Sequence, residues 1–130
     1  MALETGIKGR AECTVSEKDT AKALRSGGLD VLATPIMIAL MEESALTSVR
    51  PYLEEGTDTV GTNINVSHLS ATPVGLRAWA ESELVEIDRR RLVFNVKAYD
   101  EKGLIGEGTH ERAIIDYERF MKKCLAKLED

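Results

Sequence analysis

Cysteine is scarce in this chain of 130 residues: Cys13 and Cys124 are the only two, and no CxxC pair occurs. Two isolated thiols specify neither a disulfide framework nor a zinc site, so free thiols in a reducing cytoplasm, and no metal or other cofactor, are expected. Long apolar runs are missing as well. Nothing approaches the ~20 residues of a membrane span, and the first residues lack a signal-peptide core. Positive charge is in deficit: 17 Lys and Arg face 22 Asp and Glu, for a net charge of -5. That balance argues against a nucleic-acid or anionic-membrane surface, both of which need a positive field. There is no Gly-rich phosphate loop, nucleophile elbow, HExxH pattern, internal repeat or low-complexity tract. What is present, 43% hydrophobic and 30% charged residues, is ordinary for one globular domain spanning 1–130.

The chain is organised around Ala33 to Arg50, ATPIMIALMEESALTSVR. Thr34 is placed to cap a helix, and Pro35 fits its first turn, where the missing N–H has no partner to lose. Ile36 to Met41 are apolar around the whole circumference, which predicts a helix built for burial. Further on, Glu43, Ser44, Thr47, Ser48 and Arg50 share one side and Ala45, Leu46 and Val49 the other. Glu42 falls on the apolar side, with Ile38, Ala39, Ala45 and Leu46 three and four residues away. Either its stem packs while its head reaches water, or it is a sheltered carboxylate, which is costly unless hydrogen-bonded or used.

Around that helix the pattern predicts strands. Ile7 to Val15 form the first, and Ser16 with Asp19 opens a short helix to about Leu24. Arg25 to Asp30 form a link with a Gly pair, a plain connector or a lid. Pro51 stops the long helix. From Thr57 the period becomes two: Val60, Thr62, Ile64 and Val66 alternate with polar residues, and His68 keeps their parity, facing the helix. Ala71 to Gly75 turn. Leu76 to Ile87 form a strand with a bulge at Leu84 and Val85, and Asp88 to Arg90 turn. Leu92, Phe94, Val96 and Ala98 mark an inner face, Asp100 to Gly103 turn, and Leu104 to Ile115 form the last strand. Tyr117 to Leu128 has amphipathic helical spacing. Consecutive strands on short links pair antiparallel, so the prediction is an α+β domain with an antiparallel sheet of about five strands wrapped around a long central helix.

That is the hotdog architecture, and particular segments go further. Ala33-Thr34-Pro35, Met41-Glu42, Val60-Gly61-Thr62, Val66-Ser67-His68-Leu69, Ala71-Thr72-Pro73-Val74-Gly75 and Gly103 through Arg112, in this order and spacing, resemble the fluoroacetyl-CoA thioesterase-like family over about Gly9 to Ile115. The resemblance implies a hotdog homodimer that hydrolyses an acyl-CoA thioester without a metal. It implies Thr34, Glu42 and His68 as the catalytic set and Arg112 at the acyl end. Fluorine selectivity would be expected to use bulky apolar or aromatic lid groups. The link here is Arg25-Ser26-Gly27-Gly28-Leu29, so the reaction class carries over and the acyl group stays open.

Thioester hydrolysis needs a nucleophile or a base for water, a donor for the oxyanion and a proton for the leaving thiol. Glu42 can attack or activate water, and His68 can orient it or pass a proton, unless it is a structural histidine at a strand end. Thr34 can donate its hydroxyl, cap the helix, or both. Gly61 is taken with Arg112 and Arg90 as substrate-binding. Arg112 could instead pair with Glu107 or Glu111, and Arg89, Arg90 and Arg91 are either a CoA-phosphate contact or a solvated turn. His110 shares the face of Arg112 and is expected to be structural. From Thr34 to Glu42 a helix rises roughly 12 Å, so the two do not touch within one chain. One site is therefore expected to draw on two subunits of a homodimer. The rival readings are a non-catalytic acyl-CoA-binding protein and a hotdog enoyl-CoA hydratase. The latter would need an Asp and His pair close in sequence, which is absent near His68 and His110.

Overall fold

The computed structural model describes residues 2–129. Five strands, β1 (Lys8–Thr14), β2 (Thr57–His68), β3 (Arg77–Asp88), β4 (Arg91–Asp100) and β5 (Gly103–Asp116), form one sheet in the order β1-β3-β4-β5-β2. Every neighbouring pair is antiparallel. One long helix, α1 (Thr34–Val49), lies across the concave face, and a short one, α2 (Tyr117–Leu125), follows β5. The hotdog expectation is met, and the predicted limits of the strands and of α1 fall within a residue or two of these; the tail helix, predicted to Leu128, ends at Leu125 and gives way to a 3-10 turn, Ala126–Leu128.

The core forms where the inner face of the sheet meets α1. Leu92, Phe94, Val96 and Ala98 of β4 are all buried, as their alternation predicted, and meet Met37, Leu40, Met41, Ala45 and Val49 of α1. Each large aliphatic or aromatic side chain removed from water there contributes about 1.5–3 kcal/mol. Close approach of helix to sheet depends on Gly9, where any Cβ would collide with the Ser44 carbonyl and lie 2.7 Å from Ser48 Cβ. Beside it the buried Ser44 hydroxyl donates to Ser82 Oγ at 2.8 Å, so neither polar group is stranded.

Four details depart from expectation. Thr34 is not the cap of α1. Ala33 holds that position and Pro35 lies in the first turn, while the threonine side chain is drawn away by His68. The helix predicted from Ser16 to Leu24 is one turn of 3-10 helix, Glu17–Asp19. Asp19 takes both Ser16 donors, and Thr20 turns extended to bridge Leu32, so tertiary pairing ends the helix. In β2 the inner face changes parity. Thr59 and Gly61 pair with the inward Ile114 and Arg112, an extra residue follows at Thr62, and Ile64, Val66 and His68 face inward thereafter. Val60 and Thr62 therefore do not belong to the inner row. A second bulge, at Val85 between Leu84 and Glu86, lies where the broken alternation predicted it. Finally, α1 is not covered all round: Pro35 and Ala39 are exposed and Ile38 and Glu42 only half-buried.

Candidate active site

Two clusters of polar side chains form, one toward each end of the helix face that the sheet leaves open. At the N-terminal end, Thr34 Oγ1 lies 2.7 Å from His68 Nδ1. The last residue of β2 thus meets the first turn of α1, beside a cleft of about 290 Å³ lined by Ala21, Leu32, Ser70 and Ala71 among others. Parity correctly aimed the imidazole at the helix. Its Nε2 is buried and has no hydrogen-bond partner among the described residues. Burial lowers the ring's pKa from its ordinary 6.5, against an opposing pull from the Ser70 backbone, which favours a neutral imidazole.

The second cluster is two helical turns on. A single point, where a Cβ on Gly61 would sit, lies 2.9 Å from Glu42 Oε2, 3.3 Å from His110 Cε1 and 3.4 Å from Arg112 Nη1. The missing side chain of Gly61 therefore leaves a notch, slightly too tight for a methyl group, walled by a carboxylate, an imidazole and a guanidinium. Gly61 faces this way because it precedes the β2 bulge and pairs with Arg112. Arg112 is only 6% exposed. Its Nε donates to Thr59 Oγ1 at 2.8 Å and its Nη2 to the Thr59 carbonyl at 3.0 Å. Desolvation lowers its pKa while the Glu42 and Asp58 carboxylates oppose the shift. A buried guanidinium keeps its charge, so this cluster presents a fixed cation beside Glu42.

Of the predicted residues, then, Thr34 and His68 come together, and Gly61, Glu42 and Arg112 come together, but the two groups stay apart within the chain. Arg112 does not pair with Glu107 or Glu111. Glu111 is held by Arg91, whose Nε is 2.6 Å from Glu111 Oε1 and whose Nη1 is 2.9 Å from Glu86 Oε2. Of the basic triplet, Arg91 is therefore engaged. Arg89 and Arg90 form the exposed turn between β3 and β4, with Arg89 in the left-handed region at φ 58. His110, expected to be structural, is 1% exposed and walls the notch beside Glu42. Its parity with Arg112 was the available signal.

A curled antiparallel sheet over one long helix, with a carboxylate and an imidazole on the open face, defines the class of hotdog thioesterases. Residues 15–118 match the family described as fluoroacetyl-CoA-specific thioesterase. The fluoroacetyl-CoA thioesterase of Streptantibioticus cattleyicolor is 44% identical over 98 residues, 75% of this chain and 70% of that protein. A crystal structure of the fluoroacetyl-CoA thioesterase FlK superposes with TM-score 0.92 at 35% identity, covering 98% of both chains. A phenylalanine-to-alanine variant of FlK, solved with fluoroacetate and CoA, is 36% identical, with TM-score 0.85 over 91% of this chain and 99% of that one. A thioesterase superfamily member from Thermus thermophilus is 26% identical, with TM-score 0.88 over 98% and 96%. The chain belongs to the fluoroacetyl-CoA-specific thioesterase family, and it is a thioester hydrolase of acyl-CoA.

Proposed function

We propose that this acyl-CoA thioesterase cleaves a short-chain thioester at a site completed by two copies of the chain, Glu42 coming from one and the Thr34–His68 pair from the other. The carrying observation is the split just described: both sets lie on the open side of α1, about 12 Å apart along its axis. Two further features support a second copy. Strand β2 is an edge strand of 12 residues with an open backbone and neither Pro nor Lys to blunt it. The strand's own Ile64 and Val66 are only half-buried, as is Ile38 of α1. Antiparallel pairing of two β2 edges about a two-fold axis near the bulge brings the second copy's His68 opposite the Thr59–Gly61 stretch, under which Glu42 lies.

In this arrangement the thioester carbonyl carbon sits between Glu42 and the Thr34–His68 pair. Glu42 supplies the electron pair, by direct attack or by taking a proton from an attacking water, and the carbonyl π electrons move onto oxygen. Donors from the Thr34 hydroxyl and the first turn of α1 stabilise that oxyanion. Its collapse breaks the C–S bond; the neutral imidazole accepts a proton at Nε2, from protonated Glu42 on the water route or from solvent on the direct one, and hands it to the departing CoA thiolate. On the direct route the acyl-Glu42 anhydride is then hydrolysed. A single turnover in ¹⁸O water that labels the Glu42 carboxylate establishes the direct route, since label enters that group only when water opens the anhydride at the Glu42 carbon. The Gly61 notch with Arg112 takes the end of the acyl group, and its size favours a short one. Arg90, exposed at the end of the sheet nearest Arg112, is placed for CoA phosphates.

Subunit mixing tests the reading. Glu42→Gln and His68→Asn homodimers are each inactive toward short acyl-CoAs in a thiol-release assay. A heterodimer of the two has one doubly defective site and one intact site, so random mixing restores roughly a quarter of wild-type activity. Verified heterodimers that stay inactive would refute the shared site, and a fully active monomer would do the same.

A further inference from the structure

Every polar atom of the His110 ring is engaged, and the two partners leave it one protonation state. Nδ1 is 2.7 Å from the Asn63 carbonyl oxygen. That oxygen only accepts, so Nδ1 carries the hydrogen and donates. Nε2 is 3.1 Å from Arg112 Nη1. A guanidinium only donates, so Nε2 offers its lone pair. One face of the ring stacks toward Phe94, whose centroid is 6.2 Å away. The Asn63 carbonyl lies beside the β2 bulge, where the register with β5 shifts.

Arg112 has five N–H donors, and three are taken by Thr59 and His110. The nitrogen that His110 holds, Nη1, is the one 3.4 Å from the Gly61 notch. We propose that His110 is a positioning residue which, as the neutral Nδ1–H tautomer, aims the remaining Nη1–H of Arg112 into the acyl notch beside Glu42. The proposal rests on the assignment of that notch to the acyl group. It gives the Thr62 bulge a purpose, because the extra residue precedes the carbonyl that sets the tautomer.

Protonation would undo the arrangement. An Nε2–H would point at Arg112 Nη1, donor against donor, and the aim would be lost. The charged groups facing His110 are Arg112 and Glu111 from β5 and Glu42 from α1, while β4 contributes the uncharged Phe94 and β2 the Asn63 carbonyl. Burial and Arg112 lower the ring's pKa, and the Asn63 carbonyl and the two carboxylates oppose them. The net direction is downward, which keeps the aiming form in place at neutral pH.

The first test uses the unaltered protein. Long-range ¹⁵N–¹H spectra at pH 7.5 should show His110 protonated at Nδ1 and bare at Nε2, and an Nε2–H tautomer would overturn the proposal. The second is a double-mutant cycle in kcat/KM for a short acyl-CoA. Arg112→Lys should lose about 10-fold or more. His110→Phe, which keeps the stacking on Phe94 but has no acceptor, should lose a similar factor. The pair together should be no worse than Arg112→Lys alone. His110→Gln, which restores an acceptor without titrating, should recover most of the loss and move the acid limb of the pH profile. If His110→Phe leaves kcat/KM intact while Arg112→Lys lowers it, or if the two losses multiply, His110 does not act through Arg112. If Arg112→Lys is itself neutral, the notch assignment fails instead.

Discussion

Replacing Gly61 by alanine isolates the geometry of the site from the stability of the fold. The added Cβ would lie 2.9 Å from Glu42 Oε2, 3.3 Å from His110 Cε1 and 3.4 Å from Arg112 Nη1. An uncrowded carbon–oxygen contact is nearer 3.4 Å, so the carboxylate must retreat by about half an ångström. It can do so cheaply, being the far end of a long side chain on the open side of α1. Folding should change by less than about 1 kcal/mol, since the alanine also restricts the unfolded chain. Catalysis should not be spared if Glu42 acts as proposed, because displacement of an attacking group on this scale costs about 10- to 100-fold in rate. The assay is kcat/KM by thiol release alongside the urea midpoint. Gly9→Ala makes the opposing case: its Cβ strikes the Ser44 backbone carbonyl, which cannot retreat, so a loss of about 2–4 kcal/mol is expected. Gly28→Ala, with nothing within 4 Å, should change neither quantity. Wild-type activity in Gly61→Ala would show that the position of Glu42 does not govern the rate. A folding loss above about 2 kcal/mol would show that the carboxylate is clamped.

Other perturbations probe separate parts. Thr34→Val keeps the shape and removes the His68 partner, so activity should fall sharply while stability drops by only about 1 kcal/mol. Loss of a true helix cap would have been seen equally in Thr34→Ala and unaltered activity, which kcat and thermal melting distinguish. Both histidines have pKa values lowered by burial from 6.5. The unfolded chain therefore binds protons first as pH falls, so their stability contribution is complete above the unfolded value and declines below it. Urea midpoints at pH 7.5 and pH 5 should differ in that direction, and His110→Phe should reduce the difference. Helix α2 has no buried residue, and Tyr117, Leu125 and Leu128 are more than half exposed. A chain ending at Asp116 should keep its melting temperature within about 5 °C, checked by circular dichroism. A larger drop would mean that the apolar side of α2 is covered by another copy in solution.

Much of this architecture can be seen in the residues themselves. Strict alternation from Leu92 to Ala98 marks β4, and two adjacent apolar residues at Leu84 and Val85 mark the β3 bulge, because period two leaves no other explanation. The β2 bulge was hidden, since Val60, Thr62, Ile64 and Val66 alternate without a break while Thr59 and Gly61 carry no hydrophobic signal. Which residues face inward there is decided by pairing with β5, a non-local matter. The capping motif at Ser16 and Asp19 was legible, but the length of helix it opened was set by the bridge between Thr20 and Leu32. At the site, Glu42 and His68 stood out as polar groups on apolar faces. His110 did not, because its importance lies in what Arg112 and the Asn63 carbonyl require of it.

The extra residue in β2 also makes one strand behave as two. Ahead of Thr62 its odd-numbered positions look toward α1, and after it the even-numbered ones do. A relative that had lost that residue could keep both the glycine and the imidazole pointing inward only with an even separation, so its histidine would stand six places after its glycine rather than the seven that separate Gly61 from His68. Deleting Thr62 from this chain should accordingly be tolerated better than deleting Ile64: either leaves a plain ladder, but the second puts Asn63 where the inward Ile64 stood.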